Sequence, residues 1–85
     1  MPRSPRTQPE RAASARELLA LNIIRHRGRL GWSQEALAFE AGLHRTFVAH
    51  VERQARNISL DNIERLAGAL GVPVFELLKP RLPDG

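Results

Sequence analysis

The side chains that most often carry catalysis or hold metal ions are few in this sequence, and they are not grouped. There is no cysteine, which excludes a disulfide scaffold, a thiolate zinc site and a cysteine nucleophile. His26, His44 and His50 lie apart, and no HExxH spacing occurs. The seven glutamates and two aspartates are placed as surface charges on helices, apart from Glu52, and there is no glycine-rich phosphate loop. We therefore expect no enzyme, no metal site and no cofactor.

Arginine is the abundant charged side chain, and its chemistry is the binding of anions. The chain carries 13 basic and 9 acidic residues, which gives a formal net charge of +4. Residues 1–32 hold seven arginines and two glutamates, residues 33–58 hold three of each, and residues 59–85 are slightly acidic. A basic N-terminal third favours a polyanionic partner, although arginine usage that follows genome composition is the alternative.

Length and hydropathy indicate a single domain without a membrane span. Eighty-five residues with 42% hydrophobic side chains suffice for one domain. No apolar run approaches the roughly 18 residues of a membrane span, and no apolar stretch follows the first arginines as it would in a secretory signal. We expect a cytoplasmic protein without a membrane segment.

Proline spacing and the apolar pattern divide the chain into three parts. Residues 1–13 contain three prolines among polar side chains and are predicted to be a disordered basic tail. Residues 14–80 form the predicted domain, and residues 81–85 are expected to fray at the C-terminus.

Capping residues predict five helices and no strand. Ser14, Ser33 and Ser59 each precede an apolar-periodic segment and are predicted N-caps. Gly28 and Gly31 are expected to break the first helix. Pro73 is expected at the first position of the last helix. The predicted helices are ARELLALNIIRHR, QEALAFEA, HRTFVAHVER, LDNIERLAGAL and VFELLK. The fourth helix is expected to bury one face, made of Leu60, Ile63, Leu66, Ala67 and Leu70.

The window from Gln34 to Arg53 fits a helix-turn-helix. Two short helices that cross closely need a small residue in the first helix, here Ala38, and a turn residue that accepts positive φ, here Gly42. Leu43 is expected to be buried in the turn. The third helix then has an inward set, Phe47, Val48 and Val51, and an outward set, Arg45, Thr46, Ala49 and His50. A generic helical hairpin is the alternative.

These residues resemble a known family. The matching segments are Ile23-x3-Arg27, Gly31-x-Ser33-Gln34-Glu35, Leu37-Ala38, Ala41-Gly42-Leu43, Arg45-Thr46-Phe47, Val51-Glu52-Arg53, Arg56-Asn57-x-Ser59-Leu60 and Ala69-Leu70-Gly71-Val72-Pro73. The chain resembles the phage-repressor-like, or xenobiotic-response-element, helix-turn-helix family, and looks most like controller proteins of restriction–modification systems. The resemblance implies a compact, all-α, five-helix lambda-repressor-like DNA-binding domain with its helix-turn-helix at helices 2–3. Gln54 replaces the usual glycine after the third helix and Ile58 stands where proline is frequent, so we expect a reshaped loop there.

The resemblance also assigns roles in DNA binding. The third helix would enter the major groove, where arginine bonds guanine and threonine contacts a base or a phosphate. Base reading is assigned to Arg45, Thr46, Ala49 and His50. Phosphate binding is assigned to Gln34, His44, Arg53, Arg56 and Asn57. The alternatives are a solvated polar face for the first set, a plain helix former for Gln34 and a turn residue for Asn57.

Two further expectations follow, the first from the resemblance and the second from the apolar pattern. Arg27 and Glu52 are expected to form an inward ion pair between the first and third helices. The last helix and its approach carry surplus apolar residues, assigned as a dimer interface of Val72, Val74, Phe75 and Leu78, unless all of them belong to the core.

The resulting hypothesis is a dimeric transcription regulator that binds a two-fold operator in double-stranded DNA. One short recognition helix buries too little surface for tight specific binding, so two half-sites are expected. Two alternatives remain open at this point. One is an antitoxin-type autorepressor that also binds a toxin, and the other is a helix-turn-helix used only for protein interaction.

Overall fold

The structure is a computed structural model, and it describes residues 14–55 and 57–80. These residues form five helices and no strand, as predicted. The helices are α1 (Ala15–Leu30), α2 (Gln34–Ala41), α3 (Arg45–Glu52), α4 (Leu60–Leu70) and α5 (Val74–Leu78). The predicted tail, residues 1–13, and the predicted frayed end, residues 81–85, lie outside the described residues.

The three predicted serine caps begin α1, α2 and α4. The hydroxyl oxygens of Ser14, Ser33 and Ser59 accept hydrogen bonds from the backbone N–H three residues later, at 3.0, 3.0 and 3.1 Å. Each cap satisfies a donor that the helix itself leaves unpaired, which is worth about 1 kcal/mol. These local bonds explain why the starts of the helices are visible in the sequence.

Two predicted boundaries are wrong by a few residues. Gly28 does not break α1, which continues to Leu30 and ends at Gly31. A single glycine costs a helix about 1 kcal/mol, which the packing of α1 outweighs. Pro73 is the residue before α5 and not its first residue.

The core lies where α1 packs against α3 and α5, and α2 packs against α3 and α4. Its fully buried large side chains are Leu19, Ile23, Leu37, Val48, Leu66 and Leu77. Leu60 was predicted to belong to the buried face of α4, but 72% of it is exposed. It is the first residue of α4 and lines an open groove, so no neighbouring helix covers it.

A buried amide joins the two ends of the domain. Asn22 is 2% exposed, and its Nδ2 donates to the carbonyl oxygens of Leu77 at 3.1 Å and Lys79 at 2.9 Å. A buried polar group needs such partners, because an unpaired one is costly. Asn22 therefore fixes the end of α5 against α1.

The described residues lack two kinds of feature. None of their helices has the length and apolar character needed to cross a membrane. Residues 14–55 and 57–80 contain no group of three or more histidine, aspartate or glutamate side chains arranged to hold a metal ion.

Candidate nucleic-acid interface

The turn between α2 and α3 has the features that the sequence predicted. Ala38 is 2% exposed, which allows the close crossing. Gly42 has φ of 72°, a left-handed conformation that a side chain disfavours. The N–H of Leu43 donates to the carbonyl oxygen of Ala38 at 2.8 Å, which closes the turn. The two helices are thereby held in a fixed relative orientation.

The outward face of α3 begins with two exposed polar side chains. Arg45 and Thr46 are exposed, whereas Ala49 and His50, one turn later, are half-buried. Val48 and Val51 are buried on the opposite face. The four residues assigned to base reading thus share one side of α3, and the two in its first turn are the more exposed.

The first turn of α3 also presents backbone donors. His44 is the N-cap, and its carbonyl oxygen accepts from the N–H of Phe47 and Val48. The N–H groups of Arg45 and Thr46 precede these bonds and have no acceptor within the helix. His44 itself is exposed and forms no side-chain cap. Partial positive charge from the helix dipole therefore adds to that of Arg45.

Arg27 and Glu52 form an ion pair between α1 and α3. Arg27 Nε and Nη2 donate to the two carboxylate oxygens of Glu52 at 2.8 and 2.9 Å, a bidentate arrangement. Arg27 Nη1 donates to the carbonyl oxygen of Trp32 at 2.9 Å. The hydrogen bond from Arg27 to Glu52 raises the pKa of the guanidinium above its ordinary value.

Gln34 completes this cluster from α2. Its Nε2 donates to Glu52 Oε1 at 2.8 Å, so one carboxylate joins α1, α2 and α3. The Gln34 amide, which was predicted to bind phosphate, therefore has a structural contact. Its Nε2 carries a second N–H that could donate to another acceptor. The backbone N–H groups of Gln34 and Glu35 precede the first bonds within α2 and face outward from its N-terminus, a geometry that favours anions.

The loop after α3 contains a residue other than glycine in the left-handed backbone conformation. Gln54 has φ of 61°, and the N–H of Ala55 donates to the carbonyl oxygen of His50 at 2.8 Å. Gln54 thus adopts the left-handed conformation that favours glycine, and the expected reshaping of the loop relative to the family stays a prediction. Arg53 is exposed, and Arg56 lies outside the described residues.

Arg16 is a residue of this region that the sequence did not reveal. Its Nη2 donates to Oδ1 of exposed Asn57, which follows α3 in the loop. The two residues are 41 positions apart, and no spacing rule connects them. Asn57 is thus linked to the start of α1, and Arg16 brings a basic side chain to the loop after α3.

The residues assigned to a dimer interface differ in exposure. Phe75 is 65% exposed, and Val72, Val74 and Leu78 are half-buried against the core. Leu77, between them in sequence, is fully buried. Only part of this apolar segment therefore belongs to the core, and Phe75 is its outward part.

Comparison with known proteins gives a consistent result. A family profile described as helix-turn-helix matches residues 23–77. A hypothetical transcription factor of Neisseria meningitidis serogroup B is 52% identical over 76% of this chain and 61% of its own length. Control protein C.BamHI of Bacillus amyloliquefaciens is 59% identical over 54% of this chain and 57% of its own length. The chain thus spans less than two thirds of these two relatives.

Solved structures extend the likeness to three dimensions. The Neisseria transcription factor superposes with a TM-score of 0.77 at 51% identity, covering 79% of this chain and 77% of that one. The restriction–modification controller protein C.AhdI of Aeromonas hydrophila gives 0.70 at 44% identity, covering 73% and 94%. The controller protein C.Esp1396I, as a tetramer in complex with its natural 35 base-pair operator, gives 0.71 at 28% identity, covering 79% and 92%.

Proposed function

The chain belongs to the helix-turn-helix family, and from that premise we propose that it is a transcription regulator that binds a two-fold DNA operator as a dimer. It would act in the cytoplasm, as the operator-binding component of a genetic control circuit. The likeness to C.BamHI and C.AhdI supports a role of the controller type, in which the regulated genes belong to a restriction–modification system.

The observation that carries this proposal is the exposed first turn of α3. Arg45 and Thr46 stand on a helix whose orientation is fixed by the turn at Gly42 and by the carboxylate of Glu52. Arg45 would bond O6 and N7 of a guanine, and Thr46 would contact a neighbouring base or phosphate. Ala49 and His50 would approach bases one turn further along the groove.

Phosphate contacts would flank this helix on both sides. The N-terminus of α2, with Gln34, offers backbone and amide donors on one side. His44, Arg53 and Asn57 offer further donors around α3, and Arg56 would join them. Such contacts fix the register on the duplex and make binding dependent on salt.

Dimerisation follows from the size of the recognition element. An eight-residue α3 spans about 12 Å and reads only a few base pairs. Two copies related by a two-fold axis would read half-sites about 34 Å apart, one helical turn of DNA. The tetrameric operator complex of C.Esp1396I supports an assembly of several copies. We assign the contact between copies of this chain to the apolar surface formed by Phe75 and its half-buried neighbours.

Selection of bound sequences from random DNA tests the function, followed by the Arg45→Ala variant on the selected site. We expect the variant to lose about 1–3 kcal/mol of binding free energy and to accept more bases at one position. The matched control is Arg53→Ala, which should weaken binding to all sequences alike and reduce the salt slope by about one.

Two outcomes would contradict the proposal. Equal losses by Arg45→Ala on selected and random DNA would make Arg45 a phosphate contact. Absence of any salt-dependent DNA binding would mean that the helix-turn-helix serves protein interaction.

A further inference from the structure

A polar pocket lies between the second half of α1 and the end of α5. Its volume is about 390 Å³, near the lower end of the range for small-molecule sites, which is roughly 300–1,000 Å³. The lining brings together three cationic side chains, an imidazole, an amide and one carboxylate, which are Arg25, Arg29, Lys79, His26, Asn22 and Glu76. None of these residues was assigned a role in DNA binding or in the dimer interface.

Positive charge exceeds negative charge in this pocket. Its three cations and one carboxylate give a formal charge of +2 with the imidazole neutral. The carboxylate of Glu76 accepts a long hydrogen bond of 3.4 Å from Lys79. Within residues 14–55 and 57–80, neither Arg25 nor Arg29 has a carboxylate at ion-pair distance. These two arginines are four positions apart on α1, a spacing at which like charges repel. An anion bound between them would remove this repulsion.

The imidazole of His26 indicates that the charges converge. Burial is the largest cause that lowers the pKa of His26, and the charge of Arg29 is the next. Arg25 and Lys79 lower this pKa further, and Glu76 opposes them. Charges carried by two different helices therefore act on one half-buried ring, as expected for a single site.

The wall of the pocket is fixed by the buried amide of Asn22. Both N–H groups of Nδ2 are donated to backbone carbonyl oxygens, those of Leu77 and Lys79. The amide has no further N–H for a ligand, but it holds the backbone that carries the Lys79 side chain. Because this part of the site is already ordered, a ligand loses less free energy in assembling it.

The arginines of the pocket point away from the recognition helix. Arg25 and Arg29 are each two positions from Arg27, and two residues turn an α-helix by about 200°. The side chain of Arg27 reaches Glu52 on α3. Arg25 and Arg29 therefore leave α1 on the side opposite α3. Contact of α3 with an operator does not explain the positive charge of this pocket.

We propose that this pocket binds a phosphate group of a small molecule, held by Arg25 and Arg29 from α1 and by Lys79 from α5. The forked guanidinium group matches two phosphate oxygens, and the ammonium group adds a point charge. The volume admits the phosphate together with a small organic part. This ligand site is separate from the DNA surface and does not depend on the proposed dimer.

The charges of the pocket set the sign of each expected effect. A bound phosphate would join α1 to the end of α5 through Arg25, Arg29 and Lys79, so loss of any one of them should weaken binding. Glu76 lines the same pocket and repels an anion, so its neutralisation should strengthen binding. Opposite effects of two neighbouring substitutions are not expected from a general loss of folding.

The experiment is isothermal titration calorimetry of the full chain with inorganic pyrophosphate at pH 7.5 and physiological ionic strength. We expect saturable binding of one pyrophosphate per chain. Arg25→Gln on α1 and Lys79→Gln on α5 should each weaken it by about tenfold, since each removes a charge-assisted hydrogen bond. Glu76→Gln should tighten it by about fivefold. The matched control is Arg65→Gln, an exposed arginine of α4 outside the pocket, which should change nothing.

Four results would overturn the proposal. The first is the absence of saturable binding by the unmodified chain. The second is an equal loss in Arg65→Gln, which would mean diffuse attraction by the net charge. The third is a lower salt slope for random DNA in Arg25→Gln, which would make the pocket a contact for DNA phosphates. The fourth is binding that appears only after deletion of residues 81–85, which include Asp84, because the chain itself would then be the occupant.

A second measurement needs no substitution. Proton magnetic resonance follows the imidazole signals of the unmodified chain during titration with pyrophosphate. A bound anion favours the protonated ring, so the pKa of His26 should rise from below 6.5 towards or above that value. The signals of His44, at the N-cap of α3, should not move with pyrophosphate. An unchanged pKa of His26 at saturation, or equal movement of the His44 signals, would refute binding in this pocket.

Discussion

Replacing Glu52 tests how the helix-turn-helix is held in place. The Glu52 side chain is 5% exposed and accepts three hydrogen bonds, two from Arg27 and one from Gln34. The Glu52→Ala variant leaves the Arg27 guanidinium charged, half-buried and without its carboxylate. We expect the free energy of unfolding to fall.

The structure sets the size of this loss. Breaking a buried ion pair costs about 3–5 kcal/mol. Arg27 is 20% exposed and keeps its bond to the carbonyl oxygen of Trp32, which places Glu52→Ala near the lower end, at about 3 kcal/mol. Arg27→Met should cost more, about 4–5 kcal/mol, because the more buried carboxylate retains only the neutral Gln34 donor.

Urea denaturation of a double-mutant cycle measures the coupling. The double variant Arg27→Met/Glu52→Ala should be more stable than the sum of its single losses predicts, by about 1–3 kcal/mol. The matched control is Glu76→Ala, which removes the exposed Lys79–Glu76 pair at 3.4 Å and should cost under about 1 kcal/mol.

Additive losses in the double variant would refute the reasoning, since the two charges would then not depend on each other. A Glu52→Ala loss no larger than that of Glu76→Ala would refute it as well. In either case the hydrogen bonds across α1, α2 and α3 would contribute little to stability.

Three further perturbations have expected outcomes. Gln54 has a left-handed backbone conformation with φ of 61°, so Gln54→Gly should relieve strain and raise the urea midpoint by the equivalent of about 1 kcal/mol. The control Ala55→Gly should not raise the midpoint. A lower midpoint for Gln54→Gly would contradict the strain. Burial, followed in size by the positive charge of Arg29, lowers the pKa of His26 in the folded state below its ordinary value of 6.5. The unfolded chain therefore binds more protons, and the free energy of unfolding should fall as pH drops below about 6.5. The Tm loss between pH 7.5 and 5.5 should shrink in His26→Gln but not in His44→Gln, and an equal loss in both would rule this out. Phe75→Glu should give a folded monomer by light scattering and circular dichroism with weak operator binding; an unfolded chain would place Phe75 in the core, and a folded dimer would move the interface elsewhere.

Local patterns located the helices because their causes are local. A serine cap bonds an N–H three residues away, and Gly42 supplies a conformation needed at its own position. The apolar spacing of α3 likewise fixed which side of it is buried, with Val48 and Val51 inward. Pattern failed at Gly28 and Leu60, where the outcome depends on which helices lie alongside.

The resemblance to a family supplied what local pattern could not, namely the pairing of Arg27 with Glu52, which the structure contains, and the roles proposed along α3. The pairing does not follow from spacing, because 25 positions separate the two residues. The third member of that cluster, Gln34, was assigned to phosphate only. Its bond to Glu52 shows that this side chain belongs to the frame of the motif.

The sequence by itself therefore determined the five helices, their caps, the tight turn at Gly42 and the outward placement of Arg45 and Thr46. Only the tertiary structure decided that Asn22 ties α5 to α1, that Arg16 reaches Asn57, and that Leu60 and Phe75 stay exposed. The physical reason is range. Hydrogen bonds within a helix turn involve neighbours in the chain, whereas burial and long-range bonds depend on how separate helices pack, which no single segment encodes.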